Sequence, residues 1–161
     1  MNEYPLVEDP FILVAPRGHV TDPDDVGNQL NNLPLLRYAR DQLISQQIES
    51  HLTRHKMEFD DRFEIGSHLA LMAMVARRIG WAITTPLGYM RAARFHEEID
   101  AFALPFAGFS RRISLFAQSD WPDTVPLEVA GTVRRLTQSQ IIAPAINRLP
   151  WLAGQLRVLE S

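Results

Sequence analysis

Residues Phe63–Pro86, FEIGSHLALMAMVARRIGWAITTP, decide the fold. They read as a strand, a helix capped by Ser67, and a second strand stopped by Pro86. A serine at the N-cap accepts from backbone N–H groups a turn later. Leu69, Met72, Val75 and Ile79 recur at helical spacing, predicting one buried face. Arg77 and Arg78 fall in the last turn, where cations suit the helix dipole, and Gly80 is the expected stop. Trp81–Thr85 is rich in strand formers. Such a unit sets a helix N-terminus, with its partial positive charge, at the carboxyl end of a strand. Open α/β sheets bind ligands there, anionic ones especially. The unit predicts a binding cleft and no particular reaction.

Outward from this unit, strands and helices alternate. Phe11–Ala15 is a short apolar run that suits a strand buried on both faces. Pro16, Gly18 and the TDPDD segment at Thr21–Asp25 break it, and Asp22–Asn32 reads as loop with at most a turn of helix. Leu35–Ala39 forms a second strand. A helix follows over Leu43–Lys56, with Ile44, Ile48 and Leu52 on one stripe and Ser45 or Asp41 as cap. Beyond the central unit, Leu87–His96 is helical and Glu97–Asp100 an acidic turn. Ala103–Phe106 and Arg111–Gln118 are strand-like. Pro126 suits the first turn of a helix running to Ile142, with Val129, Val133 and Leu136 inward. Pro144 and Pro150 interrupt what remains. The alternation argues for parallel pairing with right-handed crossovers.

At 161 residues, with 46% hydrophobic and 22% charged residues, the chain has material for one core or two small lobes. A net charge of −3 and a pI near 5.9 give no footprint for nucleic acid. The arginines are scattered or paired, as at solvated helix ends, and Lys56 is the only lysine. There is no cysteine, which excludes disulfides, thiol nucleophiles and cysteine metal sites in this stretch. Apolar runs are too short to span a bilayer, and MNEYPLVEDP lacks a basic segment followed by an apolar one, so the expected location is cytoplasmic.

Motifs for catalysis are thin, and no enzyme and no cofactor are expected. The eight glycines are dispersed, without phosphate-cradling spacing. His96-Glu97-Glu98 lacks the second histidine of a zinc protease. His51 and His55, four apart on a helix, could ligate a metal, but with no acid or third ligand paired to them a solvated helix face accounts for them better, and no metal is expected. A nucleophilic Ser67 beside His68 would need converging side chains and an orienting acid. Asp60-Asp61 and Glu97-Glu98 point apart and read as solvated turns.

Four segments are similar, in order and spacing, to the effector-binding domain of LysR-type transcriptional regulators. They are EDPFILVAPRGH (Glu8–His19), PLLRYARDQLISQQIESHL (Pro34–Leu52), the Phe63–Pro86 unit, and ALPFAGFSRRISLFAQ (Ala103–Gln118). The resemblance covers most of the chain. It implies an α/β, periplasmic-binding-protein-like (type II) fold with one complete lobe, about 18–105. Part of the second lobe would come from about 1–17 and 106–161, with no DNA-binding domain present. Crossings between lobes are expected near Ala15–His19 and Leu104–Gly108, making Pro16, Arg17, Gly18, His19, Leu104 and Pro105 hinge or cleft-wall candidates. Ser67 and His68 match positions that often face the effector in that family, although Ser67 as a plain cap and an exposed His68 fit equally.

Tyr38 and Arg40 follow the Pro34–Ala39 strand toward the same cleft. Tyr38 would either pack or touch ligand. Arg40, or Arg37, would pair with an effector carboxylate or lie idle on the surface. Thr84 and Thr85 are weaker candidates. The implied function is a small-effector-binding, homo-oligomeric module of a regulator, reaching DNA only through a domain outside these residues. The effector would be organic, and a helix N-terminus suits an anion. A stand-alone solute-binding protein of the same fold is the alternative.

Overall fold

Nine consecutive residues near the N-terminus, Asn2–Pro10, given no element of their own above, form the longest strand among the described residues. The computed structural model describes residues 1–59 and 63–160; Asp60 and Asp61 lie outside them. In chain order the elements are β1 (Asn2–Pro10), β2 (Ile12–Pro16), a 3-10 turn (Pro23–Asp25), α1 (Val26–Gln29), β3 (Leu35–Tyr38) and α2 (Leu43–Arg54). Then follow β4 (Phe63–Ile65), α3 (His68–Ala76), β5 (Trp81–Thr84), α4 (Pro86–Arg91), a 3-10 segment (Ala93–Glu98) and β6 (Ile99–Ala103). The chain ends with β7 (Ser110–Ala117), α5 (Thr124–Thr137), a π turn (Gln138–Ile142), α6 (Ala143–Arg148), a 3-10 turn (Pro150–Leu152) and β8 (Arg157–Val158). Two compact units result, Phe11–Phe109 and residues 1–10 with 110–160.

The Phe11–Phe109 unit holds a five-stranded sheet in the order β4-β3-β5-β2-β6. β3 runs parallel to β4 and β5, as the alternation requires. The expectation of parallel pairing fails at β2, which is antiparallel to both β5 and β6. β2 enters from outside the strand–helix–strand unit, so no crossover fixes its direction. Its five residues are all buried, as a continuous apolar run predicts. The expected acidic turn at Glu97–Asp100 is instead the end of the 3-10 segment and the start of β6, where Asp100 Oδ2 accepts from Gly18 N at 2.9 Å. Ala103–Phe106 keeps only its first residue in a strand.

α3 confirms Ser67 as N-cap, with Oγ accepting from Ala70 N at 3.3 Å. Its buried face differs from the expected one. Leu71, Met72 and Val75 are buried, whereas Leu69 and Ile79 are 42% and 46% exposed. The helix is apolar nearly all round, so its own pattern cannot choose a face. Burying three such side chains contributes about 1.5–3 kcal/mol each.

The helix stop also moves. Ile79 N donates to Met74 O at 3.1 Å and Arg78 N to Val75 O at 2.9 Å, with Arg78 at φ 67°. This is a Schellman closure with arginine in the left-handed position. Gly80 serves close approach instead: a Cβ there would lie 2.5 Å from Pro34 O and 2.8 Å from Leu36 Cγ. α2 ends in the same way, with Lys56 at φ 56° and Met57 N donating to Leu52 O at 2.9 Å. Ile48 and Leu52 of α2 are buried as expected. Its N-cap is Gln42, without a side-chain cap bond, and Ser45 is buried inside the helix, so neither expected cap is used. Pro86 does more than end a strand: it opens α4, with Thr85 as cap accepting from Gly88 N at 3.3 Å.

The second unit is built on an antiparallel sheet, β7-β1-β8. Asp9, wholly buried, accepts from Arg111 Nε at 3.0 Å across the β1–β7 pair. Glu8 accepts from Ser110 Oγ at 2.9 Å and from Arg157 Nη2 at 2.7 Å. α5 covers β1, and Arg134 donates to Pro5 O through Nε at 3.1 Å. The helix expected to run to Ile142 starts at Thr124 and turns π-helical after Thr137. Its buried residues are Pro126 and Ala130. Val129 and Leu136, expected inward, are 43% and 50% exposed. Pro144 does not interrupt but sits at the N-terminal end of α6, directly after the π turn.

Candidate functional site

The carboxyl ends of β3 and β5 bring three expected residues together. Tyr38 is the last residue of β3 and Thr84 the last of β5, while His68 opens α3. Tyr38 Oη lies 2.7 Å from Thr84 Oγ1 and 2.8 Å from His68 Nδ1, and His68 Nε2 lies 2.7 Å from Gly88 O. The tyrosine and histidine rings stack nearly parallel, at 2°.

Proton accounting gives this chain a direction. A carbonyl only accepts, so His68 Nε2 carries a hydrogen and donates to Gly88 O. In a neutral imidazole Nδ1 then accepts, so Tyr38 donates to it and Thr84 donates to Tyr38. Gly88 is required beside them: a Cβ would come within 2.8 Å of Thr84 Oγ1 and 3.1 Å of His68 Cε1. Four positions from four elements thus form one connected polar network at a helix N-terminus. Thr84 is wholly buried and Tyr38 is 3% exposed, so both brace the site from beneath. Ser67, which caps the same helix, is exposed to solvent, and His68 is half-buried.

The expected arginine is differently engaged. Arg40 makes a two-point fork on Glu64, Nε to Oε1 at 2.9 Å and Nη2 to Oε2 at 3.0 Å. Arg37, its alternative, is buried, paired with Glu49, and donates to Phe59 O at 3.0 Å. Neither guanidinium is directed into the Tyr38–His68–Thr84 network.

The crossing candidates all lie within Phe11–Phe109. Pro16 closes β2; Arg17 N donates to Glu98 O at 3.0 Å, and Gly18 adopts φ 75°. His19 Nε2 lies 3.0 Å from Gln29 O. Leu104 and Pro105 follow β6. At the opposite end of the strands from Tyr38 lies a cavity of about 490 Å³, lined by Leu33, Pro34, Leu35, Trp81 and Phe106 among others. Pattern reading gave no sign of it, because its walls come from five separate stretches of chain. His96, set aside above as a protease remnant, is buried, stacks on Tyr89 at 4.2 Å and donates to Tyr89 O at 2.9 Å.

A family model, the LysR substrate-binding domain, matches residues 2–128. Among solved structures, a cysteine-to-serine mutant of the OxyR2 regulatory domain from Vibrio vulnificus aligns with TM-score 0.62 at 16% identity, covering 84% of this chain and 65% of that one. A cysteine mutant of Corynebacterium glutamicum OxyR, with hydrogen peroxide bound, gives 0.69 at 18% over 91% and 48%. The regulatory domain of HypT from Salmonella typhimurium, with bromide bound, gives 0.60 at 16% over 86% and 65%. The chain therefore spans two thirds or less of these proteins' lengths. No curated protein sequence matches it.

Proposed function

Because the chain belongs to the LysR substrate-binding domain family, we propose that it is the small-effector-sensing module of a transcriptional regulator and catalyses no reaction. Its fold is of the type II periplasmic-binding-protein-like kind. The reading rests on one observation above all, the Tyr38–His68–Thr84 network beneath the Ser67 cap at the carboxyl ends of β3 and β5. Sites of this topology receive ligands at a helix N-terminus. Ser67 makes the direct contact, and buried Tyr38 and Thr84 with half-buried His68 hold the helix start in place. Arg40, committed to Glu64, is left out of the contact. A small anion suits the positive end of the α3 dipole, and the bromide in the HypT domain supports that class. With no cysteine in this stretch, thiol chemistry has no part here. Effector binding would bias a DNA-binding domain outside these residues through a population shift, and the chain would work as a homo-oligomer in the cytoplasm. Among the described residues no helix is long and apolar enough to cross a membrane.

The test is thermal-shift titration with bromide and a panel of small carboxylates, in wild type and Ser67→Glu. A saturable rise in Tm is expected for at least one anion, and Ser67→Glu should remove it while unfolding within about 1 kcal/mol of wild type, since an acid is tolerated at a helix start. An anion response that survives in Ser67→Glu would move the site elsewhere.

A further inference from the structure

The spacing of His51 and His55 fits a solvated helix face, and half of that description fails. His55 is exposed at the C-cap of α2, but His51 is only 3% exposed. Its Nε2 lies 2.7 Å from Ala107 O, and a carbonyl oxygen can only accept. The proton therefore sits on Nε2, and Nδ1 carries the lone pair. Metal-ligating histidines are held in this way, donating the second ring nitrogen to a carbonyl and keeping the first for the ion. Here Nδ1 is buried and has no hydrogen-bond partner among the described residues. Stacking on Phe109, with centroids 3.7 Å apart at 13°, fixes the ring. The His55 ring is the next imidazole along, 4.3 Å away by centroid and tilted by 55°.

We propose that His51, through Nδ1, and His55 form a two-histidine site for a borderline-soft divalent cation such as Zn2+ or Ni2+, with water completing the shell. His55, one turn on and open to solvent, supplies the second nitrogen from the neighbouring ring. Burial lowers the His51 pKa, a shift that the Ala107 hydrogen bond opposes and the nearby His55 and Arg54 charges reinforce. The groups packed on His51 from elsewhere in the fold, Phe106, Ala107 and Phe109, carry no charge. The nearby cation Arg54 disfavours a hard ion held by charge alone. That selects for metals that form strong bonds to imidazole, while the C-terminal end of the α2 dipole partly offsets the repulsion.

The experiment is calorimetry on the tag-free chain at pH 7.5 with Zn2+, Ni2+ and, as the hard-cation control, Mg2+. Saturable one-to-one binding of Zn2+ or Ni2+ and no heat from Mg2+ are expected. His55→Gln, at an exposed position, should keep the circular dichroism spectrum and weaken binding at least about 10-fold, the low end of what even outer-shell losses cost. Long-range 15N spectra of the wild type add an independent reading. Zn2+ should shift His51 Nδ1 strongly, while Nε2 keeps its proton. Absence of saturable binding, unchanged affinity in His55→Gln, or a metal shift at His51 Nε2 would each overturn the proposal. Should His55→Gln misfold, the wild-type 15N response decides alone.

Discussion

The two sheets of this protein handle their edges differently. The five-stranded sheet ends in β4, three residues long, and in β6, five residues long. Short edges offer little to an incoming strand. The antiparallel sheet ends on one side in β8, of two residues, but on the other in β7, of eight. Beside β7 an apolar groove of about 440 Å³ runs along α5, lined by Leu115, Phe116, Trp121, Val125, Pro126 and Val129. Phe116 and Trp121 are 59% and 53% exposed. One unit thus has short edges on both sides of its sheet, and the other presents a long strand edge next to uncovered aromatic side chains. Exposed patches of this kind bury themselves against something.

The largest expected effect breaks the open side of that comparison. Light scattering over a dilution series should find wild type self-associated at micromolar concentration. Phe116→Lys with Trp121→Asp should weaken association at least about 100-fold, since central aromatic anchors are worth 2 kcal/mol or more each. A wild type that stays monomeric at every concentration would remove the distinction.

A smaller effect sharpens the short-edged side. Gly80→Ala should destabilise by about 1–3 kcal/mol in urea unfolding, because the new methyl meets the Pro34 carbonyl oxygen and the Leu36 side chain. A neutral result would mean that β3 and the start of β5 are less tightly apposed than their geometry shows. Smallest is Thr84→Val, which removes the donor to Tyr38 at nearly constant volume. It should cost about 1 kcal/mol and leave secondary structure unchanged, with a larger loss marking the network as the chief brace of the α3 start.

How much of this was legible in sequence depended on whether the signal was local. β3, β5, the core of α2 and the Ser67 cap announced themselves through composition and cap chemistry within a few residues. β1 did not, because prolines at 5 and 10 argue against a strand and a register shift between Pro5 and Val7 breaks its alternation. The face of α3 was hidden by an excess of apolar residues, and its stop by an arginine where glycine is the usual choice. At the candidate site, strand–helix topology put Tyr38, His68 and Thr84 at neighbouring strand and helix ends. It could not show that Tyr38, His68 and Thr84 bond to one another, since those partners are 30 and 46 residues apart. Nor could it show that Glu64 engages Arg40, or that burial separates His51 from His55.

The π turn at Gln138–Ile142 has a consequence best expressed as a matter of phase. An α-helix advances roughly 100° per residue, and a π turn takes up one extra residue, so everything beyond it is set back by about 100°. Counted along an unbroken helix from Pro126, Ala130 would stand near 40° and Ala145 and Ile142 near 100° and 160°, giving two diverging faces. With the extra residue absorbed, Ala145 returns to about 0° and Ile142 to about 60°, in line with Pro126 and Ala130. All four of these residues are buried. The turn is a clutch between two gears that would otherwise be out of step, and Pro144, which lacks an N–H to donate, stands where they re-engage. Deleting any one residue between Gln138 and Gln140 would restore the regular count and rotate the C-terminal apolar face away from its neighbours.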